Sequence, residues 1–188
     1  MAIRTFLALE LDGPIRRAIV AAAESISIGA AKVRWVEEQN LHITLKFLGD
    51  VPDGDVMGVC RTVESVAAGL GPIPFEVSHL ECIPARGPVK MVWAGVRDES
   101  GEIAAAFDEL EAALEPLGFD IEPRAFRPHI TVGRVRYCPK PAALRSAVEG
   151  LGRADFGNQV ADEVVVYSSE LTRKGPIYGA MSRCSLGQ

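Results

Sequence analysis

Hydrophobic and polar residues follow two periods along this chain, which separate predicted strands from predicted helices. Residues 3–11 (IRTFLALEL) are apolar and β-favouring, and the turn sequence Asp-Gly-Pro follows at 12–14. A helical stretch over residues 15–28 begins directly after this turn. The chain therefore opens with a predicted strand, turn and helix.

The next predicted strand covers residues 41–48 (LHITLKFL). Its polar and apolar positions alternate, as expected when successive side chains point to opposite faces of a sheet. His42, Thr44 and Lys46 fall on the polar face, whereas Phe47 falls on the apolar face. This pattern predicts a half-buried strand whose polar face is available for chemistry.

The second half of the chain repeats this order of elements. A predicted strand at 89–96, a turn at 97–101 and a helix at 102–117 precede a second strand with the pattern His-x-Thr. The first motif histidine follows Asp12 by 30 residues, and the second follows Asp98 by 31. We interpret this repetition as an internal duplication.

The duplicated pattern predicts an α+β fold with two lobes, in which two antiparallel-type sheets face each other across a central cleft and helices lie outside. We expect one domain over residues 1–188, with the first lobe built mainly around residues 1–50 and the second mainly around 89–136. The remaining segments complete both sheets, with predicted helices at 53–68 and 141–150 and predicted strands at 75–83, 163–169 and 177–186.

The composition is that of an ordinary globular domain, since 48% of the 188 residues are hydrophobic and 24% are charged. No apolar run approaches the roughly 20 residues that span a membrane, and acidic residues follow the first apolar run too early for a signal peptide. We therefore expect a cytoplasmic protein without a membrane partner. The four cysteines are widely spaced, which predicts reduced thiols and not a zinc cluster.

The distribution of charge narrows the choice of ligand. A formal net charge of −5 argues against indiscriminate nucleic-acid binding through a broad basic surface. One segment, residues 124–140, nevertheless contains basic residues and no acidic one, which favours a small anionic ligand there. Its basic residues are Arg124, Arg127, Arg134, Arg136 and Lys140.

Two of the three histidines occupy the same tripeptide, which starts at His42 and His129 and ends at Thr44 and Thr131. If a pseudo-two-fold axis relates the lobes, both imidazoles and both hydroxyls lie on facing walls of the cleft. One imidazole can then remove a proton from water while the other protonates a departing oxygen. The hydroxyls can donate to phosphate oxygens. This set suits in-line displacement at phosphorus without a metal ion.

These motifs resemble the LigT-like two-histidine (2H) phosphoesterase superfamily, and within it the RNA 2',3'-cyclic phosphodiesterases once called 2'-5' RNA ligases. The resemblance covers nearly the whole chain. It rests on four segments, which are residues 4–9 (RTFLAL), 41–49 (LHITLKFLG), 127–134 (RPHITVGR) and 175–178 (GPIY).

The resemblance implies hydrolysis of RNA 2',3'-cyclic phosphate ends, with His42 as proton donor and His129 as proton acceptor. The implied product carries a 2'-phosphate, because the 3'-oxygen is the leaving group. Arg134 fits an arginine that commonly follows the second motif of the family. We also name tRNA fragments and nucleotides as candidate ligands, and we expect a monomer that needs no cofactor.

Basic residues near the motifs are candidates for holding the negative charge of a cyclic phosphate. Arg134 is the first of them, although its odd offset of five from His129 places it on the opposite face of a regular strand. Lys46, Arg127 and Lys174 are further candidates, and each would also suit a solvated surface position.

Aromatic residues divide between the site and the core. Trp35 lies just before the first motif, where it can either stack on a nucleobase or pack in the core. Tyr178 is a second candidate for ligand contact. Phe47 and Trp93 fall on apolar faces and are expected in the core, and His79, which has no partner threonine, is expected to be structural.

Other functions remain open at this point. The same catalytic groups suit a 2'-5' linked oligonucleotide or ADP-ribose 1'',2''-cyclic phosphate, and a non-catalytic protein could use the histidines only to bind an RNA end or a nucleotide. A turnover assay separates the last alternative from an enzyme. A metal-dependent hydrolase needs clustered acidic or histidine ligands. A histidine-triad hydrolase needs several alternating histidines on one strand. Neither pattern accompanies the motifs.

Overall fold

The computed structural model describes residues 1–152, 154–173 and 175–187, so that the candidate Lys174 lies outside the described residues. Within them the chain forms four α-helices and nine strands. The helices are α1 (Gly13–Ser25), α2 (Val56–Gly69), α3 (Glu102–Leu114) and α4 (Pro141–Glu149). The strands are β1 (Ala2–Glu10), β2 (Lys32–Trp35), β3 (His42–Pro52), β4 (Ile73–Ile83), β5 (Met91–Arg97), β6 (His129–Tyr137), β7 (Asp155–Ala161), β8 (Glu163–Leu171) and β9 (Pro176–Ser185).

The strands form one curled antiparallel sheet in the order β7-β4-β5-β6-β3-β1-β8-β9, with β2 paired to β6. The two central strands, β3 and β6, carry the two motifs and meet at the pair Ile43 and Ile130. The predicted α+β class and two-lobe fold are confirmed. The two predicted sheets are the two arms of this continuous sheet, joined where the motifs meet.

The helices bury one apolar stripe each against the sheet, as their periodicity predicts. Helix α3 buries Ile103, Phe107, Leu110 and Leu114, which recur at helical spacing and are at most 7% exposed. Among the described helices, none has the length and apolar character that crossing a bilayer requires.

Two strands were not predicted from the sequence, β2 and β7. The sequence of β7 (DFGNQVA) contains Asp, Gly and Asn, which are typical of turns, and β2 (KVRW) has four residues. Both form because a neighbouring strand accepts their backbone hydrogen bonds, β4 for β7 and β6 for β2. Pairing with a distant strand therefore overrides their local preference.

A β-bulge interrupts each motif strand just beyond its threonine. In β3, Ala8 pairs with Thr44 and Leu7 pairs with Lys46, so that Leu45 is the extra residue. In β6, Trp93 pairs with Thr131 and Val92 pairs with Gly133, so that Val132 is the extra residue. Each bulge shifts the alternation by one position, and side chains at odd offsets from the motif histidines then point into the cleft.

Candidate active site

The two motifs are neighbours at the centre of the sheet. Because Ile43 and Ile130 are antiparallel partners, His42 lies beside Thr131 and Thr44 lies beside His129. Side chains directly opposite each other on one face have Cβ atoms only about 4.5–5.5 Å apart. All four motif side chains line one cleft of about 820 Å³. The pairing of two buried isoleucines thus brings two imidazoles and two hydroxyls together.

The backbone orients both imidazole rings in the same way. Nδ1 of His42 donates to the carbonyl oxygen of Asn40 over 2.8 Å, and Nδ1 of His129 donates to the carbonyl oxygen of Arg127 over 2.9 Å. A carbonyl only accepts hydrogen bonds, so Nδ1 carries the proton and Nε2 is left for proton transfer. The Nε2 atom of His42 lies 3.0 Å from the hydroxyl oxygen of Thr44.

Aromatic side chains restrict the motion of each imidazole. The indole of Trp93 stacks on His129 with ring centroids 3.6 Å apart and an interplanar angle of 17°. His42 packs against Phe6 at 5.0 Å and meets the ring of Tyr178 edge-on at 5.5 Å. These contacts hold both rings in place before a ligand binds.

The surroundings disfavour the charged form of both histidines. Burial lowers the pKa of His42 below its ordinary value of 6.5, and the nearby His129 and Arg134 lower it further, against the Asn40 carbonyl. Burial also lowers the pKa of His129, against the hydrogen bond to the Arg127 carbonyl, which raises it. The guanidinium of Arg127 adds to the lowering, and the carboxylate of Glu81 opposes it. Both imidazoles are therefore held mainly neutral at pH 7 in the free protein.

The predicted position of Lys46 on the cleft face is wrong. The bulge at Leu45 turns Lys46 into the interior, where its side chain is 6% exposed and its Nζ lies 2.6 Å from Oε1 of Glu111. Nζ also donates to the carbonyl oxygen of Asp120 over 2.7 Å. The second carboxylate oxygen of Glu111 accepts the backbone N–H of Glu122 over 2.8 Å. The ion pair connects β3 to α3, and the two hydrogen bonds connect both to the segment that leads to β6.

The two arginine candidates differ in position. Arg134 lines the cleft despite its odd offset from His129, because the bulge at Val132 reverses the alternation of the strand before it. The guanidinium of Arg127 instead forms an ion pair with Glu81 and lies 5.9 Å from the centre of the Trp93 ring. Arg127 therefore contributes its backbone carbonyl to the site, while its side chain does not line the described cleft.

The predicted core positions of Phe47 and Trp93 are wrong, because both side chains line the cleft. Phe47 is 66% exposed, since the bulge at Leu45 moves it to the face of His42. Trp93 is half-buried and covers the ring of His129. Alternation alone cannot find either position, because the extra strand residue depends on the pairing partner.

The aromatic candidates Trp35 and Tyr178 both line the cleft. Trp35 also packs against the hydrophobic core, and its ring occupies the space where a Cβ on Gly133 would lie, 2.6 Å from Cε3. A side chain at Gly133 would therefore displace the indole. His79 lies outside the set of described cleft residues, and its Nδ1 is 3.1 Å from the hydroxyl oxygen of Ser78.

Several residues that line the cleft were not predicted as site residues. Asn40 is 9% exposed, and its amide donates to the carbonyl oxygen of Pro176 over 3.2 Å, which links the backbone acceptor of His42 to β9. The position of Asn40, two residues before a motif histidine, matches that of Arg127 and was a usable signal. Arg4, Arg34 and Arg136 also line the cleft. No group of three or more His, Cys, Asp or Glu among the described residues is arranged to hold a metal ion.

Comparisons with known proteins show which family the chain resembles. The sequence profile of the LigT-like phosphoesterase family matches residues 9–93 and 95–178, so that each match contains one motif. An RNA 2',3'-cyclic phosphodiesterase of Methanothermobacter thermautotrophicus is 32% identical over 96% of this chain and 97% of its own. A protein of the same name from Archaeoglobus fulgidus is 32% identical over 93% of this chain and 96% of its own.

Solved structures show the same fold. A Thermus thermophilus protein superposes with a TM-score of 0.83 at 24% identity, over 99% of this chain and 100% of that one. The E. coli LigT protein in complex with 3'-AMP superposes with a TM-score of 0.80 at 21% identity, over all of both chains. At these identities the likeness concerns the arrangement of strands and helices.

Proposed function

The chain belongs to the LigT-like phosphoesterase family, and we propose that it hydrolyses RNA 2',3'-cyclic phosphate ends to 2'-phosphomonoesters by acid and base catalysis from His42 and His129. Its relatives at 30–32% identity carry the name RNA 2',3'-cyclic phosphodiesterase, and this chain is an enzyme of that activity. The observation that supports the mechanism is the pairing of Ile43 with Ile130, because it makes the histidine and threonine of one motif neighbours of those of the other.

In this mechanism each histidine acts through Nε2. His129 takes a proton from water as the water oxygen bonds to phosphorus, and His42 gives a proton to the 3'-oxygen as its bond to phosphorus breaks. The reaction leaves His129 protonated and His42 neutral, and proton exchange with the solvent restores both starting forms before the next turnover. The lowered pKa of His42 makes its protonated form a good donor. Glu81 favours the protonated form that His129 reaches during the reaction.

The phosphate must be stabilised as negative charge develops on its non-bridging oxygens. The hydroxyls of Thr44 and Thr131 lie on the cleft face beside the imidazoles and can each donate to one such oxygen. The guanidinium of Arg134 adds a positive charge within the same cleft. Because acid, base and charge stabilisation all come from side chains, the proposed reaction needs no metal ion.

A turnover assay tests this proposal. The protein is incubated with an oligoribonucleotide that ends in a 2',3'-cyclic phosphate, with EDTA present, and the position of the product phosphate is identified. We expect a 2'-phosphate at an undiminished rate. Loss of activity in EDTA that a divalent ion restores would reject metal independence. A 3'-phosphate product would reject the assigned leaving group.

The pH dependence of the reaction should reflect the lowered histidine pKa values. The pH profile of kcat/KM reflects the ionisable groups of the free enzyme. Both sides of this bell-shaped profile should therefore fall at lower pH than they would for two histidines of pKa 6.5. Bound phosphate favours the protonated imidazoles, so the profile of kcat should lie at higher pH than that of kcat/KM. Rates measured between about pH 4 and pH 9 test this. A kcat/KM optimum above neutrality would contradict it.

Replacing Thr44 or Thr131 by valine should slow the reaction without unfolding the protein. Valine keeps the β-branched shape and removes only the hydroxyl. Loss of one hydrogen bond to a developing negative charge should raise the activation free energy by about 2–4 kcal/mol. Steady-state kinetics with far-UV circular dichroism measure both effects. Full activity in both variants would assign the hydroxyls a structural role.

The monomeric state, the cytoplasmic location and the binding of tRNA fragments and free nucleotides stay predictions. The same holds for the proposed division into one domain with lobes around residues 1–50 and 89–136.

A further inference from the structure

Positive charge is concentrated on one wall of the cleft. Arg134 and Arg136 on β6 and Arg34 on β2 all line it, and Arg34 is the register partner of Arg134. We call these three residues the arginine stripe. At the equivalent offsets in the first lobe, five and seven residues after the motif histidine, stand the uncharged Phe47 and Gly49. The duplication therefore does not explain the stripe.

The charge of the stripe exceeds what the reacting group requires. A 2',3'-cyclic phosphate carries one negative charge, which Arg134 alone can balance. Arg4 is a further cation of the cleft, although its partner in the sheet is Asp50. Among the described residues that line the cleft, Glu37 is the one carboxylate. The described cleft lining thus contains more arginine side chains than carboxylates, in a protein whose net charge is −5.

The length of the stripe also exceeds one phosphate. Arg136 follows His129 by seven positions on β6, which corresponds to about 16–20 Å of strand after allowance for the bulges at Val132 and Arg136. Phosphates of a single nucleic-acid strand advance by about 3.4 Å or more per nucleotide. Several successive phosphates therefore fit between the catalytic histidines and the outer end of the stripe.

We propose that the arginine stripe binds the phosphates on the 5' side of the terminal nucleotide, so that the enzyme prefers RNA ends of two or more nucleotides over a mononucleotide. The cyclic phosphate occupies the 3' end of an RNA, so the rest of the chain can extend only in the 5' direction. This inference rests on the proposed function. In this inference Arg136 contacts the RNA on the 5' side of the reacting nucleotide, so it affects only substrates that extend beyond that nucleotide.

The test compares four substrates, uridine 2',3'-cyclic phosphate, the same nucleotide with a 5'-phosphate, and the di- and trinucleotides that end in the cyclic phosphate. One added charge-assisted contact should raise kcat/KM by about ten-fold or more over the mononucleotide. In Arg136→Ala the ratio of trinucleotide to mononucleotide kcat/KM should fall toward one, and Arg136→Lys should restore part of it. The exposed Arg61 on α2 provides the matched control, because Arg61→Ala should keep the parental ratio.

Salt dependence gives a second readout that a structural role would not move. For the trinucleotide, the slope of log(1/KM) against log salt concentration should decrease in magnitude by about 0.7 for each phosphate contact removed. Arg136→Ala should show this change, and Arg136→Lys and Arg61→Ala should not.

The outcomes separate this inference from the proposed function. Equal kcat/KM for mononucleotide and trinucleotide in the parental enzyme would overturn the inference and leave the hydrolytic function intact. So would an unchanged length ratio in Arg136→Ala, or an equal loss on every substrate, which would assign Arg136 to the reacting phosphate. Failure to hydrolyse any cyclic phosphate would instead overturn the proposed function.

Discussion

Replacing His42 or His129 by alanine is expected to lower kcat on an RNA 2',3'-cyclic phosphate by about 10²-fold to 10⁴-fold. Alanine can neither take a proton from water nor give one to the 3'-oxygen. In the proposed mechanism the two imidazoles act in one proton-transfer sequence. The double variant should therefore lose little more activity than the less active of the two single variants. Single-turnover kinetics at saturating substrate measure this loss, and circular dichroism checks the fold.

The third histidine serves as the control for this prediction. His79 lies outside the described cleft lining, so His79→Ala should keep near-parental kcat per folded molecule. The ring of His79 fills the space above Gly95, and the variant's thermal stability must therefore be measured in parallel. Near-parental kcat in His42→Ala or His129→Ala would remove that residue from the mechanism.

A substrate with an activated leaving group separates the roles of acid and base. In a 3'-deoxynucleoside 2'-(4-nitrophenyl phosphate), which has no neighbouring hydroxyl to attack phosphorus, nitrophenolate departs without needing a proton. His42→Ala should therefore lose much less activity on this substrate than on the cyclic phosphate, whereas His129→Ala should be impaired on both. The reverse pattern would exchange the two assignments.

Replacing Lys46 by methionine is expected to lower the free energy of unfolding by about 3–5 kcal/mol. The side chain of Glu111 is 5% exposed, and without Lys46 its carboxylate would remain buried without a counter-ion. The double variant Lys46→Met/Glu111→Gln contains neither charge, and glutamine keeps an oxygen that can accept the Glu122 N–H. The double variant should therefore be more stable than Lys46→Met by at least about 1 kcal/mol. Urea denaturation of each variant measures these differences.

A surface ion pair provides the matched comparison. Arg97 lies 3.3 Å from Glu76, and their side chains are 48% and 30% exposed, so Arg97→Met should cost no more than about 1 kcal/mol. A loss in Lys46→Met as small as that in Arg97→Met would show that the buried pair contributes no more than a solvated one. A double variant as unstable as Lys46→Met would locate the loss in packing and not in the unpaired charge.

The sequence was sufficient for the repeated architecture and for the residues at its centre. Alternation places a histidine and the threonine two positions later on the same strand face, and this relation needs no knowledge of the partner strand. Repetition of that tripeptide at matching distances from Asp12 and Asp98 indicated two related lobes. The structure accordingly brings His42, Thr44, His129 and Thr131 into one cleft.

The sequence could not show which residues beyond each motif threonine face the cleft. The extra residue just beyond the threonine of each motif strand reverses the alternation there. A bulge is defined by pairing with the opposite strand, which lies far away along the chain. Regular alternation therefore predicts Lys46 in the cleft and Phe47 in the core, whereas the structure buries Lys46 and exposes Phe47. The same effect in β6 returns Arg134 to the cleft, where a regular strand would have turned it away.

Local sequence determined which side chains of each motif share one strand face, because the period of a strand is a property of neighbouring residues. Tertiary structure decided the partners of those side chains. The partner of Lys46 is Glu111, 65 residues away, and β2 pairs with β6 across about a hundred positions. Such pairings depend on which strands the folded chain makes adjacent, and no local pattern encodes them.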